Sequence, residues 1–276
     1  MPPIMEPSAN VASQVQVNVP LAMLMSGYLE QFLAHGLNPE IGLDATVLER
    51  YSPAELRPIA DTLRRHGRRV TLHGPFVDLA PGSRDPLIRE ATQRRLDQLA
   101  AAAHVFRPLS VVCHAGYDWR RHAYFRDEWL AATASAWRWL AHRLADAGAR
   151  LMLENVYERG PREALPLITE LAGDGVKWCL DIGHAMAFGE SPVAEWLAVL
   201  DSHIGQMHLH DNDGNADDHL ELGAGAIDLD GVLRYLETRS TDRPVLTLEP
   251  HREADLAPSL DYLASHWPWP NINCAE

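Results

Sequence analysis

Six side chains of metal-ligand type sit at matching places along this chain. His73, Glu154, Asp181 and Glu249 each end an apolar run, His114 follows one, and His208 falls late in another. A polar group closing a buried segment is costly unless it is partnered. Alone, each would read as a turn cap or a solvated group; together they read as ligands of a shared divalent cation. Carboxylates offset the charge of such an ion, and neutral imidazole gives it a directional lone pair. Glu154, Asp181, His208 and Glu249 form the central candidate set, with His73 and His114 joined to it through a bridging Glu154. In DIGH, His184 follows Asp181 by three residues, and in DDH, Asp217 precedes His219 by two. By number these ligands accommodate one to three ions, Zn²⁺ or Mn²⁺. His210 shares a strand face with His208 and is expected to orient a ligand or line the pocket.

Such a constellation needs a scaffold that brings strand ends together. Apolar runs alternate with longer helix-patterned segments, the rhythm of parallel strands with crossover helices. Strands are expected at VQVNV (15–19), EIGLD (40–44), RVTLH (69–73), LSVVC (109–113), RLMLE (150–154), KWCLD (177–181), IGQMHLH (204–210) and PVLTLE (244–249). ATQRRLDQLAAAAHVF and EWLAATASAWRWLAHRLADAG carry apolar residues three or four apart, suited to helices covering a sheet. The expectation is an α/β chain: a flexible leader at 1–14, then a single (β/α)8 TIM barrel over 15–276 that includes a C-terminal tail. A barrel of this kind gathers every strand end at one mouth.

A length of 276 residues suits one such domain. With 24 basic and 38 acidic residues, a net charge of −14 and one lysine, Lys177, nucleic acid and anionic membranes are disfavoured partners. A small-molecule substrate remains compatible, even an anionic one, because local arginines and a metal dominate the field inside a pocket. No apolar stretch approaches the roughly 20 residues a bilayer requires, and MPPIMEPSAN lacks a signal-peptide core, so a soluble cytoplasmic protein is expected. Cys113, Cys179 and Cys274 form no CxxC pair, and the first two lie in apolar runs where core packing is expected. Neither GxGxxG nor GxxxxGK[ST] occurs, which argues against nicotinamide or nucleoside triphosphate chemistry.

The loop YDWRRHAYFRDEW follows His114 and combines Arg120, Arg121 and Arg126 with Tyr117, Trp119, Tyr124 and Phe125. It reads as a lid over a carbohydrate or acidic metabolite, or as a packed surface loop. Arg84 is either an anion contact or a salt-bridged surface group beside Asp85. Gly223 and Gly225 follow the acidic segment and permit a tight backbone course. Trp267 and Trp269 in HWPWP suit either a contact within a homo-oligomer or docking of the terminal segment on its own barrel.

The phrases TLHGPF, VVCHAG, LMLENV, CLDIGH, MHLHDNDG, DDHLELGAG and TLEP occur in this order. From about Val15 through Tyr262 the chain resembles the xylose-isomerase-like barrel superfamily, especially its sugar-phosphate isomerase/epimerase branch and the related endonuclease IV metal enzymes. Likeness to the endonuclease implies one ion at His73, His114 and Glu154, a second among Glu154, Asp181, His208 and Glu249, and a third at His184, Asp217 and His219. Likeness to the isomerases implies a single catalytic Mn²⁺ or similar ion on Glu154, Asp181, His208 and Glu249, with His184 near the substrate. In that branch Glu154 and Glu249 would exchange the roles of general base and acid. The resemblance thus implies isomerisation or epimerisation of a small sugar or sugar derivative. Phosphoester hydrolysis and dehydration of a hydroxy-carbonyl compound are the enzymatic alternatives, and a non-enzymatic metal-ligand module is the other class.

Overall fold

In the computed structural model, which describes residues 8–270, eight parallel strands close into a barrel in chain order. They are β1 (Gln16–Pro20), β2 (Asn38–Gly42), β3 (Thr71–His73), β4 (Ser110–His114), β5 (Arg150–Glu154), β6 (Lys177–Asp181), β7 (Ile204–Leu209) and β8 (Val245–Leu248). The expected runs at 150–154 and 177–181 coincide with β5 and β6. Strand β2 is displaced two residues toward the N-terminus from the expected 40–44. Asn38 explains the shift: its side chain donates to the Ser13 and Val15 carbonyls and accepts from Arg69 N, tying the start of β2 to both neighbouring strands.

The leader expected to be flexible at 1–14 holds a helix at Ser8–Ala12 instead of running free. Val11 and Ala12 are buried, and Ser8 Oγ donates to Asp261 Oδ1 on the helix Leu256–Ser265 at 2.5 Å. Apolar side chains this near the base of the barrel gain more from burial than the short segment loses in chain entropy. Residues 1–7 and 271–276, with Cys274, lie outside the described residues.

The covering helices have local causes. Asp85 accepts from Leu87 N at 2.9 Å and Pro86 occupies the first turn, where its missing N–H is harmless, so a helix starts at Pro86 and runs to Phe106. It buries Leu96, Leu99, Ala103 and Phe106 against the barrel. Each fully buried leucine contributes about 2 kcal/mol. The helix Arg126–Ala145 buries Trp129, Trp137, Leu140 and Leu144 in the same way. Within the barrel, Val112, Met152 and Cys179 pack together on one side, while Glu40, Thr71, Gln206 and Thr247 form a buried polar group on the other. Cys113 and Cys179 are buried free thiols. Trp269 is buried, donates Nε1–H to the Leu236 carbonyl at 2.7 Å and meets Trp267 edge-on, so this segment docks on its own barrel. No helix among the described residues is long and apolar enough to cross a membrane.

Candidate metal centre

His73, His114, Glu154 and Asp181 are the last residues of β3, β4, β5 and β6; His208 lies in β7, and Glu249 follows β8. Barrel closure brings them to one mouth. Glu154 stands in the middle: Oε2 lies 3.0 Å from His73 Nε2 and 3.7 Å from His114 Nε2, and Oε1 lies 3.2 Å from His184 Nδ1 and 3.5 Å from His208 Nδ1. His208 Nδ1 also lies 3.2 Å from Glu249 Oε1 and 3.7 Å from Asp181 Oδ2. His184, Asp217 and His219 gather alongside, with Asp217 Oδ2 at 3.3 Å from His184 Nε2 and 3.0 Å from His219 Nε2. Every residue expected at the site therefore lies at this mouth. His114 is the outlier, more exposed than the rest and absent from the tight three-residue groupings that could hold an ion.

The rings are held in particular orientations. His73 Nδ1 faces the Gly74 carbonyl at 2.9 Å, His184 Nδ1 the Asn155 carbonyl at 3.0 Å, and His219 Nδ1 the Glu249 carbonyl at 2.8 Å. A carbonyl only accepts, so each Nδ1 is the donor and each Nε2 carries the lone pair toward a carboxylate. A lone pair facing an anion is repulsive unless the ring takes a second proton or a cation lies between. His208 Nδ1, His210 Nδ1 and Asp217 Oδ1 are buried without a hydrogen-bond partner, which is the shortfall that ligation would make good. The donor set, imidazole with carboxylate, fits Zn²⁺ or Mn²⁺.

Electrostatics point the same way. Burial opposes charge on His73, but the hydrogen bond and charge of Glu154, with Glu40 and Glu249, outweigh it and raise its pKa to about 9. Against burial, His184 is driven well above the ordinary range by Asp181, Asp217 and Glu154, and His208 by Cys179 and then Glu249, Glu40 and Glu154. Burial opposes ionisation of Glu154 too, yet the surrounding histidines hold it well below the usual carboxylate range. Glu249 goes the other way: burial pushes its pKa up, His208 opposes this, and the charges of Glu154, Asp181 and Glu40 add to the rise. For His114, burial wins and lowers the pKa to about 3, leaving a neutral ring.

The segment after β7 is folded around Asp211, whose carboxylate accepts from the N–H groups of Asn212, Gly223, Gly225 and Ile227. A side chain on Gly225 would lie 2.3 Å from Asp211 Oδ1, so glycine is required there. This fold carries Asp217 and His219 inward, and His219 adopts φ 49°, a left-handed conformation that costs about 1–2 kcal/mol. His210 Nε2–H donates to the Asp181 carboxylate at 3.1 Å, and the ring stacks on His219, with centroids 3.7 Å apart. It packs on Gly183, where any Cβ would meet its ring.

Sequence reasoning missed three site residues. Glu40, wholly buried in β2, faces His208 Nε2 at 3.0 Å. Asn18 donates to Glu249 Oε1 at 3.1 Å, and Asn155 donates to the Asp181 carbonyl while its Oδ1 accepts from Asp181 N. No signal in the residues marks Glu40 as interior, since it opens the run EIGLD and only strand pairing turns it inward.

The arginine and aromatic loop after His114 forms a helix at Trp119–His122 and a turn of 3-10 helix at Ala123–Phe125. Arg120 pairs with Asp118 and lies over Tyr157, Arg126 lies over Tyr117, and Arg159 lies over Trp119. Arg84 pairs with Glu128 rather than with the expected Asp85. The loop reaches the site through Tyr157, which touches Phe188, which in turn stacks on His184.

Three comparisons place this architecture among known proteins. The D-tagatose 3-epimerase-like protein of one crystal structure superimposes with a TM-score of 0.79 at 24% identity, covering 92% of this chain and 97% of that one, a likeness of fold. The TTHB071 protein from Thermus thermophilus, in crystals soaked with ZnCl2, is 30% identical with a TM-score of 0.75, covering 91% of this chain and 98% of that one. An uncharacterized protein of Methanocaldococcus jannaschii, MJ1311, is 27% identical over 82% of this chain and 79% of its own length. The family model of the xylose isomerase-like TIM barrel matches residues 38–266, which takes in every candidate ligand, and the chain belongs to that family.

Proposed function

We propose that the protein is a metal-dependent isomerase or epimerase of a small sugar or sugar derivative, working by proton transfer at carbon. The observation that carries this reading is the pair Glu154 and Glu249. Both face His208 Nδ1, at 3.5 and 3.2 Å, yet their surroundings push their pKa values in opposite directions. Two carboxylates that reach one ring from different strands suit proton exchange with a substrate carbon from two directions. A divalent cation on Glu154, Asp181, His208 and Glu249 would supply Lewis acidity that stabilises negative charge developing on a substrate oxygen. Glu249 is fixed through the Asn18 amide for proton exchange with a substrate carbon. Glu154, facing the same nitrogen of His208, is the second acid/base group, and His184 lies on the substrate side beside Phe188. Phe76, against His114 and exposed, offers an apolar wall.

Hydrolysis of a phosphate ester is the second reading. It is favoured by the groups at His73 and at His184, Asp217 and His219, which exceed what a single-ion isomerase uses.

Solvent-deuterium incorporation separates the two, measured with saturating Mn²⁺ or Zn²⁺ across ketoses, aldoses, sugar acids and phosphate esters. Wild-type protein should exchange a carbon-bound proton of its productive sugar, sought in both substrate and product. Glu249→Gln should cut that exchange about 10²- to 10⁴-fold while metal content is retained. Undiminished exchange in the metal-loaded variant would remove Glu249 from the acid/base role. Phosphate release without carbon exchange on the best substrate would transfer the function to hydrolysis.

A further inference from the structure

We infer that Glu40 is the positioning residue of the metal centre: its carboxylate accepts the Nε2–H of His208 and so presents Nδ1 of that ring, lone pair outward, to the cation. The inference rests on the reading of His208 as a ligand, and not on which reaction the centre performs.

Glu40 and His208 are both completely buried, and Glu40 Oε1 lies 3.0 Å from His208 Nε2. The rest of the carboxylate is occupied. Oε2 accepts from Thr71 Oγ1 at 2.8 Å, Gln206 Nε2 at 2.6 Å and Thr247 Oγ1 at 3.2 Å, and Asn18 Nδ2 reaches Oε1 at 3.4 Å. A carboxylate has about four acceptor positions. Donors from β1, β3, β7 and β8 therefore saturate Glu40, which excludes it as a direct ligand although it lies within reach of His208 and Glu249.

The same network fixes the proton on His208. The Gln206 amide lies 3.5 Å from Nε2, but both of its hydrogens are committed, to Glu40 Oε2 and Thr247 Oγ1, and the buried Cys179 thiol also meets the His208 ring. Gln206 is itself fixed at its oxygen by Ser110 Oγ at 2.6 Å. With the saturated Glu40 carboxylate 3.0 Å in front of Nε2 and able only to accept, that nitrogen holds the hydrogen. In the ring with a single proton, the form that would meet a cation, Nδ1 carries the lone pair, buried and without a hydrogen-bond partner, facing Glu249, Glu154 and Asp181 oxygens at 3.2, 3.5 and 3.7 Å.

His208 thus differs from its neighbours. His73, His184 and His219 are oriented by neutral backbone carbonyls and turn Nε2 inward, whereas His208 is oriented by a charged carboxylate and turns Nδ1 inward. A carboxylate behind an imidazole both sets the ring and raises its basicity as a ligand, and loss of such a partner weakens metal binding by about 10- to 100-fold.

The test uses full-length protein labelled with ¹⁵N-histidine and loaded with Zn²⁺. Long-range proton–nitrogen correlations, with the His208 signals assigned by their loss in His208→Ala, should show Nε2 protonated and Nδ1 bound to zinc. Chelator competition should show Glu40→Gln binding zinc at least tenfold more weakly with an unchanged circular dichroism spectrum. Thr71→Val removes a donor to Glu40 but leaves the His208 contact, and should keep both the ring state and the affinity. Zinc on Nε2 of His208 would overturn the inference and leave the ligand reading standing, as would wild-type affinity in a folded Glu40→Gln variant. Wild-type protein whose His208 does not meet zinc at all would overturn both. Should Glu40→Gln fail to fold, the wild-type ring state alone decides.

Discussion

The mouth of the barrel and the loop just beyond β4 are both dense in charge and in aromatic rings, but they solve their electrostatics differently. Around the loop, charge is answered within the chain: Arg120 pairs with Asp118, Arg126 lies over Tyr117, and Arg159 from the segment after β5 pairs with Glu163 and lies over Trp119. At the mouth, lone pairs are aimed at carboxylates, and buried nitrogens on His208 and His210 have no partner. A region complete in itself is scenery or cover; a region that is incomplete with only protein atoms is built around something else. Charge density alone would have ranked the two alike, and satisfaction of hydrogen bonds tells them apart.

The largest effect that can break this contrast is loss of a central ligand. His208→Ala should lower metal affinity by more than about 100-fold, exceeding the loss of an outer partner, and turnover should fall with it while the barrel stays folded. Metal analysis and activity on the same preparation check this, and normal values for both would remove His208 from the site.

Asp217→Asn is expected to act next. If His184, Asp217 and His219 hold a further ion, as the multi-ion reading requires, zinc stoichiometry should fall by one equivalent, and the affinity of the central set should shift less than in His208→Ala. Unchanged stoichiometry would mean that these residues only pack the loop after β7.

A pH titration of stability sharpens the comparison further. In metal-free protein the His73 pKa is raised to about 9 from an ordinary 6.5, so the folded state holds the extra proton more tightly. The stability this contributes is full below about pH 6.5 and is lost as pH rises through about 9; His184 and His208, shifted the same way, add to the loss. The melting temperature of metal-free protein should fall across that window, and zinc-loaded protein should fall less because the cation takes the place of those protons. Parallel curves would count against ligation.

The smallest effect belongs to the loop. Arg120→Ala should leave the melting temperature and zinc content unchanged, since its partners Asp118 and Tyr157 remain solvated or packed without it.

Much of this was readable in the residues, for a geometric reason. A βα barrel delivers strand ends to one mouth, so His73, Glu154, Asp181 and Glu249 could be assembled from their places after apolar runs. Glu40 escaped because it opens the run EIGLD, where an acid looks like a turn residue; only the pairing of Asn18 with Glu40 and of Glu40 with Thr71 across β1, β2 and β3 shows it to be interior. Ring orientation was equally hidden. It depends on the carbonyls of Gly74, Asn155 and Glu249, and backbone groups leave no mark in the residue types. The short helix at Ser8–Ala12 was missed because its five residues lack helical periodicity and gain their order from the distant helix Leu256–Ser265.

Anomalous diffraction at the zinc edge from crystals of the zinc-loaded protein tests the central claim most directly. A peak is expected about 2.0–2.3 Å from His208 Nδ1 and from carboxylate oxygens of Glu154, Asp181 and Glu249. At saturating zinc, peaks confined to surface residues, with these four side chains empty of metal, would contradict it.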